Sequence, residues 1–162
     1  MRFKQFFEDR TDEQRQYLDL LKQLKKEGKR PIDVDQIQKH IIELSRIGVS
    51  YSRGELNIKE IRRQLLQGGF YYIATEIPLD NLYIKKETED AIKKDELKNP
   101  SETNNKAPIV VGTVDGIEFF VIDGRHRVIN ARRHNEQKIT AYIPLKFYNS
   151  YRKKTHLSLA GG

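Results

Sequence analysis

Apolar residues recur at helical spacing in the first seventy positions and at strand spacing in much of the rest. Tyr17, Leu20, Leu21 and Leu24 predict a helix that opens at a Thr11–Gln14 capping box, runs to about Glu27 and is ended by Gly28. Val34, Ile37, Ile41 and Leu44 form the stripe of a second helix, capped by Asp33 and closing near Ile47 and Gly48. A third, capped by Asn57, carries Ile58, Ile61, Leu65 and Leu66 and stops at Gly68-Gly69. Ahead of them Phe3, Phe6 and Phe7 predict a short packed arm, and Val49 to Gly54 reads as a loop. The three stripes read as core rather than as a binding face, and His40, beside the second stripe, reads as a structural or surface residue.

From Phe70 the pattern changes. Phe70 to Ile77 is aromatic and β-branched, as a strand requires, and Pro78-Leu79-Asp80-Asn81 turns it into Leu82, Tyr83 and Ile84. Lys85 to Lys98 predicts a charged, exposed helix anchored by Ala91, Ile92 and Leu97, and Asn99 to Lys106 predicts a polar loop. Ile109-Val110-Val111 and Ile117 to Ile122 flank Asp115-Gly116, a hairpin signal, with Gly112 weakening the first strand slightly. Ile139 to Leu145 supplies a last strand before a basic tail. No internal repeat or heptad array is visible. The expectation is an α+β chain with an N-terminal helical region (1–69), a mixed-sheet domain (70–147) and a C-terminal tail (148–162).

Between the last two strands lies Val121-Ile122-Asp123-Gly124-Arg125-His126-Arg127, followed by Val128, Ile129 and Ala131. An apolar run halted by Asp-Gly and followed by a helical face predicts strand, glycine turn and helix N-terminus. Such a terminus suits an anion, above all a phosphate, because its N–H groups and positive dipole end converge there. Gly124 permits a sharp turn and close approach, and Arg125 and Arg127 supply planar, permanently charged forks.

Charge sharpens this picture. Of a net +7, the residues from Gly124 onward carry nine Lys or Arg against one acid, Glu136, a local excess of +8. Phosphate-bearing partners, nucleotide or nucleic acid, follow from such a concentration, with a solvated basic tail as the alternative. The chain has no cysteine, which removes disulfides, thiolate metal sites and cysteine nucleophiles and fits a reducing cytoplasm. No apolar run approaches a membrane span, so no membrane partner is expected.

Four pieces of the second half resemble the ParB/sulfiredoxin superfamily. Ile77-Pro78-Leu79-Asp80-Asn81-Leu82 is similar to its opening strand, and Pro108-Ile109-Val110-Val111 to the strand before its hairpin. The Asp123-Gly124-Arg125-His126-Arg127 run resembles its Asp-Gly-x-x-Arg phosphate motif, and Ile139-Thr140-Ala141-Tyr142-Ile143-Pro144 its closing strand. The resemblance implies a small nucleotide-binding domain in which Gly124, Arg125, His126 and Arg127 cradle the phosphates of ATP, ADP or CTP with Mg²⁺. It implies phosphoryl transfer or NTP hydrolysis, a nuclease activity in some members, and a bacterial, plasmid or phage setting. Under it Asp123 takes Mg²⁺ through water or orients His126, His126 serves as acid or base, and Glu76, with Asp80, is the nearest further base or ligand. For Asp123 the alternative is a turn-stabilising carboxylate paired with a neighbouring arginine.

Two departures narrow the field. Sulfiredoxin chemistry needs a cysteine in the motif, and there is none. About fifteen residues follow the closing strand, too few for the DNA-binding and dimerisation regions of a segregation clamp. The N-terminal helices match nothing in the family. A second expectation is nucleic-acid binding without catalysis, through Arg132, Arg133, Lys138, Arg152, Lys153 and Lys154 with Tyr148 and Tyr151 interleaved for stacking. Against it, Arg132 and Arg133 also read as an exposed helix face. A third reading is a phage or plasmid accessory protein with a vestigial pocket. The partners expected are a nucleoside phosphate, DNA and a second copy of the chain as a homodimer.

Overall fold

The computed structural model describes residues 12–46, 58–67, 69–98 and 107–152. The aromatic arm, Thr11, the loop at 49–54, the Asn57 cap, the polar loop to Lys106, and Lys153 and Lys154 lie outside the described residues. The chain divides into two compact units, residues 1–30 and 31–162.

The first unit holds helix α1 (Asp12–Lys26), whose Leu20 and Leu24 are buried as their spacing predicts. It closes at Gly28, where the Lys29 N–H donates back to the Leu24 carbonyl at 2.9 Å.

The second unit is built on a six-stranded mixed sheet. Its strands are β1 (Ile32–Asp33), β2 (Tyr71–Pro78), β3 (Leu82–Tyr83), β4 (Ile109–Thr113), β5 (Phe119–Asp123) and β6 (Lys138–Pro144), in spatial order β1-β2-β6-β4-β5-β3. β4 pairs parallel with β6, and β3 parallel with β5; the other pairs are antiparallel. All five residues of β4 are buried, which explains why Ile109-Val110-Val111 does not alternate: both faces of this strand are covered.

Helices α2 (Val34–Arg46) and α3 (Ile58–Gln67) supply one cover. Val34, Ile37, Ile41 and Leu65 pack in one core with Tyr72, Val110 and Ile122 of the sheet. The division expected at 69/70 therefore falls inside a shared core, and the break in the chain comes instead after Arg30. The α2 cap is reciprocal: Asp33 Oδ1 accepts from the Gln36 N–H at 2.8 Å, and Gln36 Oε1 accepts from the Asp33 N–H at 3.1 Å. In α3 the inward residues are Leu65 and, in part, Ile61. Ile58 and Leu66 are exposed, Leu66 because it sits one residue, about 100°, round from Leu65. The buried Tyr72 hydroxyl donates to the Leu65 carbonyl at 2.7 Å and ties the end of α3 to β2; burial pushes its ionisation upward.

The opposite cover includes residues 148–152, which are helical. Tyr151 meets Phe119 edge-on, with ring centroids 5.8 Å apart, and donates its hydroxyl to the Glu76 carbonyl at 2.7 Å. Tyr148 and Tyr151 are 1% and 8% exposed, so neither is placed to stack on bases as expected. Helices α4 (Lys86–Lys98) and α5 (Arg125–Arg133) complete the fold. Ile92 anchors α4, whereas Ala91 is exposed.

The hairpin joining β4 and β5 turns at Asp115-Gly116, as predicted, with Gly116 in the left-handed region at φ 77°. Asp115 Oδ1 accepts from the Ile117 and Glu118 N–H groups at 2.9 and 3.0 Å, and these bonds hold its carboxyl below the ordinary range. Gly112 is not merely tolerated. The Phe120 ring, opposite it across the strands, lies where a Cβ would be.

A carboxyl whose folded pKa is depressed stabilises the fold above its ordinary pKa, and that contribution is lost as pH falls through the folded value. Asp115→Asn should therefore lower Tm most near neutrality. The gap from wild type should shrink as the pH is taken below about 4, measured by thermal melts across pH.

Candidate functional site

The motif folds as strand, glycine and helix. β5 ends at Asp123, Gly124 is the N-cap of α5, and the first intrahelical bond runs from the Val128 N–H to the Gly124 carbonyl at 3.1 Å. Gly124 has φ 104° and ψ 25°, a left-handed conformation that side-chain-bearing residues rarely adopt. Space reinforces this. A Cβ at Gly124 would lie 2.9 Å from Arg127 Nη2 and from Ile109 Cβ, and closer still to Ile109 Cγ2.

The strand itself is irregular at this point. Val111 pairs with Val121 but Val110 pairs with Asp123, so β5 carries one extra residue, Ile122, beside Asp123. Such bulges re-aim side chains at strand ends.

Arg127 lies one helical turn beyond Asp123 and folds back onto it. Its Nη2 donates to Asp123 Oδ2 at 2.7 Å, and its Nη1 donates to the carbonyls of Ala107 and Pro108 at 2.7 and 2.9 Å. The residues are 4% and 8% exposed. Burial lowers the Arg127 pKa while Asp123 opposes that shift, and the guanidinium stays charged. The alternative reading of Asp123, a turn carboxylate paired with an arginine, describes this arrangement. Arg127, expected to offer its fork to phosphate, is turned inward, because a buried guanidinium needs acceptors and finds three here.

The remaining motif side chains face outward: Arg125 is exposed and His126 half-buried. Arg125 and His126 therefore form the accessible edge of the turn, while Gly124 itself is buried. Glu76 is not brought to it. β2 is separated from β5 by β6 and β4, roughly 14 Å across the sheet. Glu76 pairs with Thr140, two residues along from Tyr142, whereas Asp123 pairs with Val110, the partner of Tyr142. Asp80 is exposed in the turn after β2.

Among the described residues no group of three or more His, Asp or Glu could hold a metal ion. One carboxylate, already paired with Arg127, does not make a dedicated cation cage; the turn fits an anion better. A Mg²⁺ bound chiefly by phosphates and water would need little more from the protein.

The residues expected to contact nucleic acid separate. Arg132 is an internal staple: Nη2 donates to the Leu82 carbonyl at 2.9 Å, and Nη1 lies 3.4 Å from Glu89 Oε1, joining α5 to β3 and α4. Arg133 and Lys138 are exposed. The Arg152 guanidinium lies over the Tyr148 ring at 5.4 Å.

Sequence reasoning missed the Ala107 and Pro108 carbonyls, since a backbone acceptor leaves no mark on residue type. It also missed the place of His40, whose Nε2 lies 3.3 Å from the Pro108 carbonyl and whose ring meets Tyr142 edge-on at 5.5 Å. No family model matches the chain, and neither a curated protein nor a solved structure does.

Removing one partner of a buried ion pair leaves the other charge uncompensated. Arg127→Ala should cost about 3–5 kcal/mol in denaturant unfolding. Arg125→Ala, at an exposed position, should change stability by less than about 0.5 kcal/mol.

Proposed function

We propose that the chain is a ParB-like nucleotide-binding protein of the cytoplasm. It binds a nucleoside di- or triphosphate at the Gly124–His126 turn and acts in phosphoryl transfer or NTP hydrolysis. The observation that carries this reading is the strand–glycine–helix turn itself: left-handed Gly124 caps α5 directly after β5, and Arg125 and His126 stand in the first helical turn. Such a turn offers an anion the N–H groups and the positive dipole end of a helix, with a permanent cation beside them. The motif's resemblance to the Asp-Gly-x-x-Arg phosphate site points the same way.

Within this reading the roles divide by burial. Arg125 neutralises phosphate charge from solvent, and the backbone around Gly124 approaches the phosphate oxygens. His126 donates to the phosphoryl group or carries a proton during transfer. Asp123 and Arg127 hold the turn rather than touch the ligand. Mg²⁺ carried by the nucleotide supplies further charge neutralisation.

The excess of +8 after Gly124 supports a second reading, binding to DNA. Arg125, Arg133 and Lys138 are its exposed members among the described residues with Lys146.

Calorimetry with ATP, ADP, CTP and GTP, each with Mg²⁺, separates the two. Loss of one charge-assisted phosphate contact in Arg125→Ala should weaken binding by about 1.5–3 kcal/mol, roughly tenfold to a hundredfold. No binding of any nucleotide, together with DNA affinity that falls steeply with salt, would replace the first reading by the second.

A further inference from the structure

The glycine turn has a third support that comes from outside the motif. The Pro108 carbonyl is shared: Arg127 Nη1 donates to it at 2.9 Å, and His40 Nε2 lies 3.3 Å from it. A carbonyl can only accept, so this contact requires the tautomer with a proton on Nε2. At 3.3 Å the bond is long. The ring also meets Tyr142 of β6 edge-on, at an interplanar angle of 81°. His40 belongs to α2, whose neighbouring positions Ile37 and Ile41 are fully buried against the sheet. The imidazole is therefore carried on a rigid element.

The consequences run through one chain of contacts. The Ala107 and Pro108 carbonyls hold the Arg127 guanidinium; Arg127 holds Asp123; and Ile109, the next residue along, closes the space over Gly124. Residues 107–109 are thus the wall against which the turn is set. His40 reaches that wall from the helical cover of the sheet. We propose that His40 is a positioning residue for the Gly124–His126 turn, acting through the Pro108 carbonyl and Arg127. The role in nucleotide binding rests on the function proposed above; the brace itself does not.

The experiment compares full-length wild type, His40→Leu and His40→Gln. Leucine keeps an apolar body against Tyr142 and removes the donor, whereas glutamine can return an N–H to a similar reach. Two quantities are read: nucleotide affinity by calorimetry with Mg²⁺-ATP and Mg²⁺-CTP, and the Arg127 side-chain N–H signals by ¹⁵N NMR. Buried, bonded guanidinium protons exchange slowly, so these signals report the clasp without any ligand. His40→Leu should broaden or shift them, lower affinity about fivefold to tenfold, and leave the fold intact by circular dichroism. His40→Gln should restore both. Unchanged Arg127 signals in His40→Leu would overturn the proposal, whatever the nucleotide data show. Perturbed signals in a protein that binds no nucleotide even as wild type would overturn the nucleotide reading and leave the brace standing.

Discussion

A guanidinium taken out of water must find its acceptors inside the protein, and the arrangement around the glycine turn answers that demand at both terminal nitrogens of Arg127. Arg127 takes one carboxylate oxygen from the end of β5 and two carbonyls from the approach to β4. It therefore ties together two segments of chain some fifteen residues apart, as well as the helix that bears it. Breaking such a pair costs more than forming it yields, so its contribution is fixity rather than a large net stabilisation. Fixity is what an anion site at a helix N-terminus needs. Under the proposed function the amides must already point at the ligand, and the Ile109 and Arg127 side chains together fill the space that a side chain at Gly124 would need.

The same constraint sorts the charged residues of the C-terminal third. Arg127 and Arg132 are structural: one clasps the turn, and the other staples α5 to the Leu82 carbonyl and Glu89. Arg125, Arg133 and Lys138 are left at the surface. The basic excess is thus not one continuous binding face. Arg125 is the exposed member nearest the turn, and under the proposed function it is the one that meets phosphate.

Local patterns carried much of this fold. The Asp33–Gln36 cap, the Val34–Ile37–Ile41–Leu44 stripe, the Asp115-Gly116 hairpin and the strand–glycine–helix motif all follow from spacing and turn chemistry within a few residues. What escaped was set by partners distant in sequence. Tyr148 and Tyr151 read as part of a basic tail, yet they are buried, and Tyr151 packs on Phe119. Glu76 fits a catalytic pattern in one dimension, but sheet order puts two strands between it and Asp123. Arg125 and Arg127 look equivalent as neighbours in a motif. Helix geometry sends one out to solvent and the other back over Asp123, and only the acceptors at 107–108 reveal the difference.

The most direct test is an NMR titration of the full chain with Mg²⁺-nucleotide, following backbone amides and arginine side-chain signals together. The largest amide shifts should fall at Gly124, Arg125 and His126, with the Arg127 side-chain signals still those of a clasped guanidinium at saturation. Shifts centred elsewhere on the sheet, or an Arg127 that leaves Asp123 when the ligand binds, would contradict the division between a held turn and its exposed recognising edge.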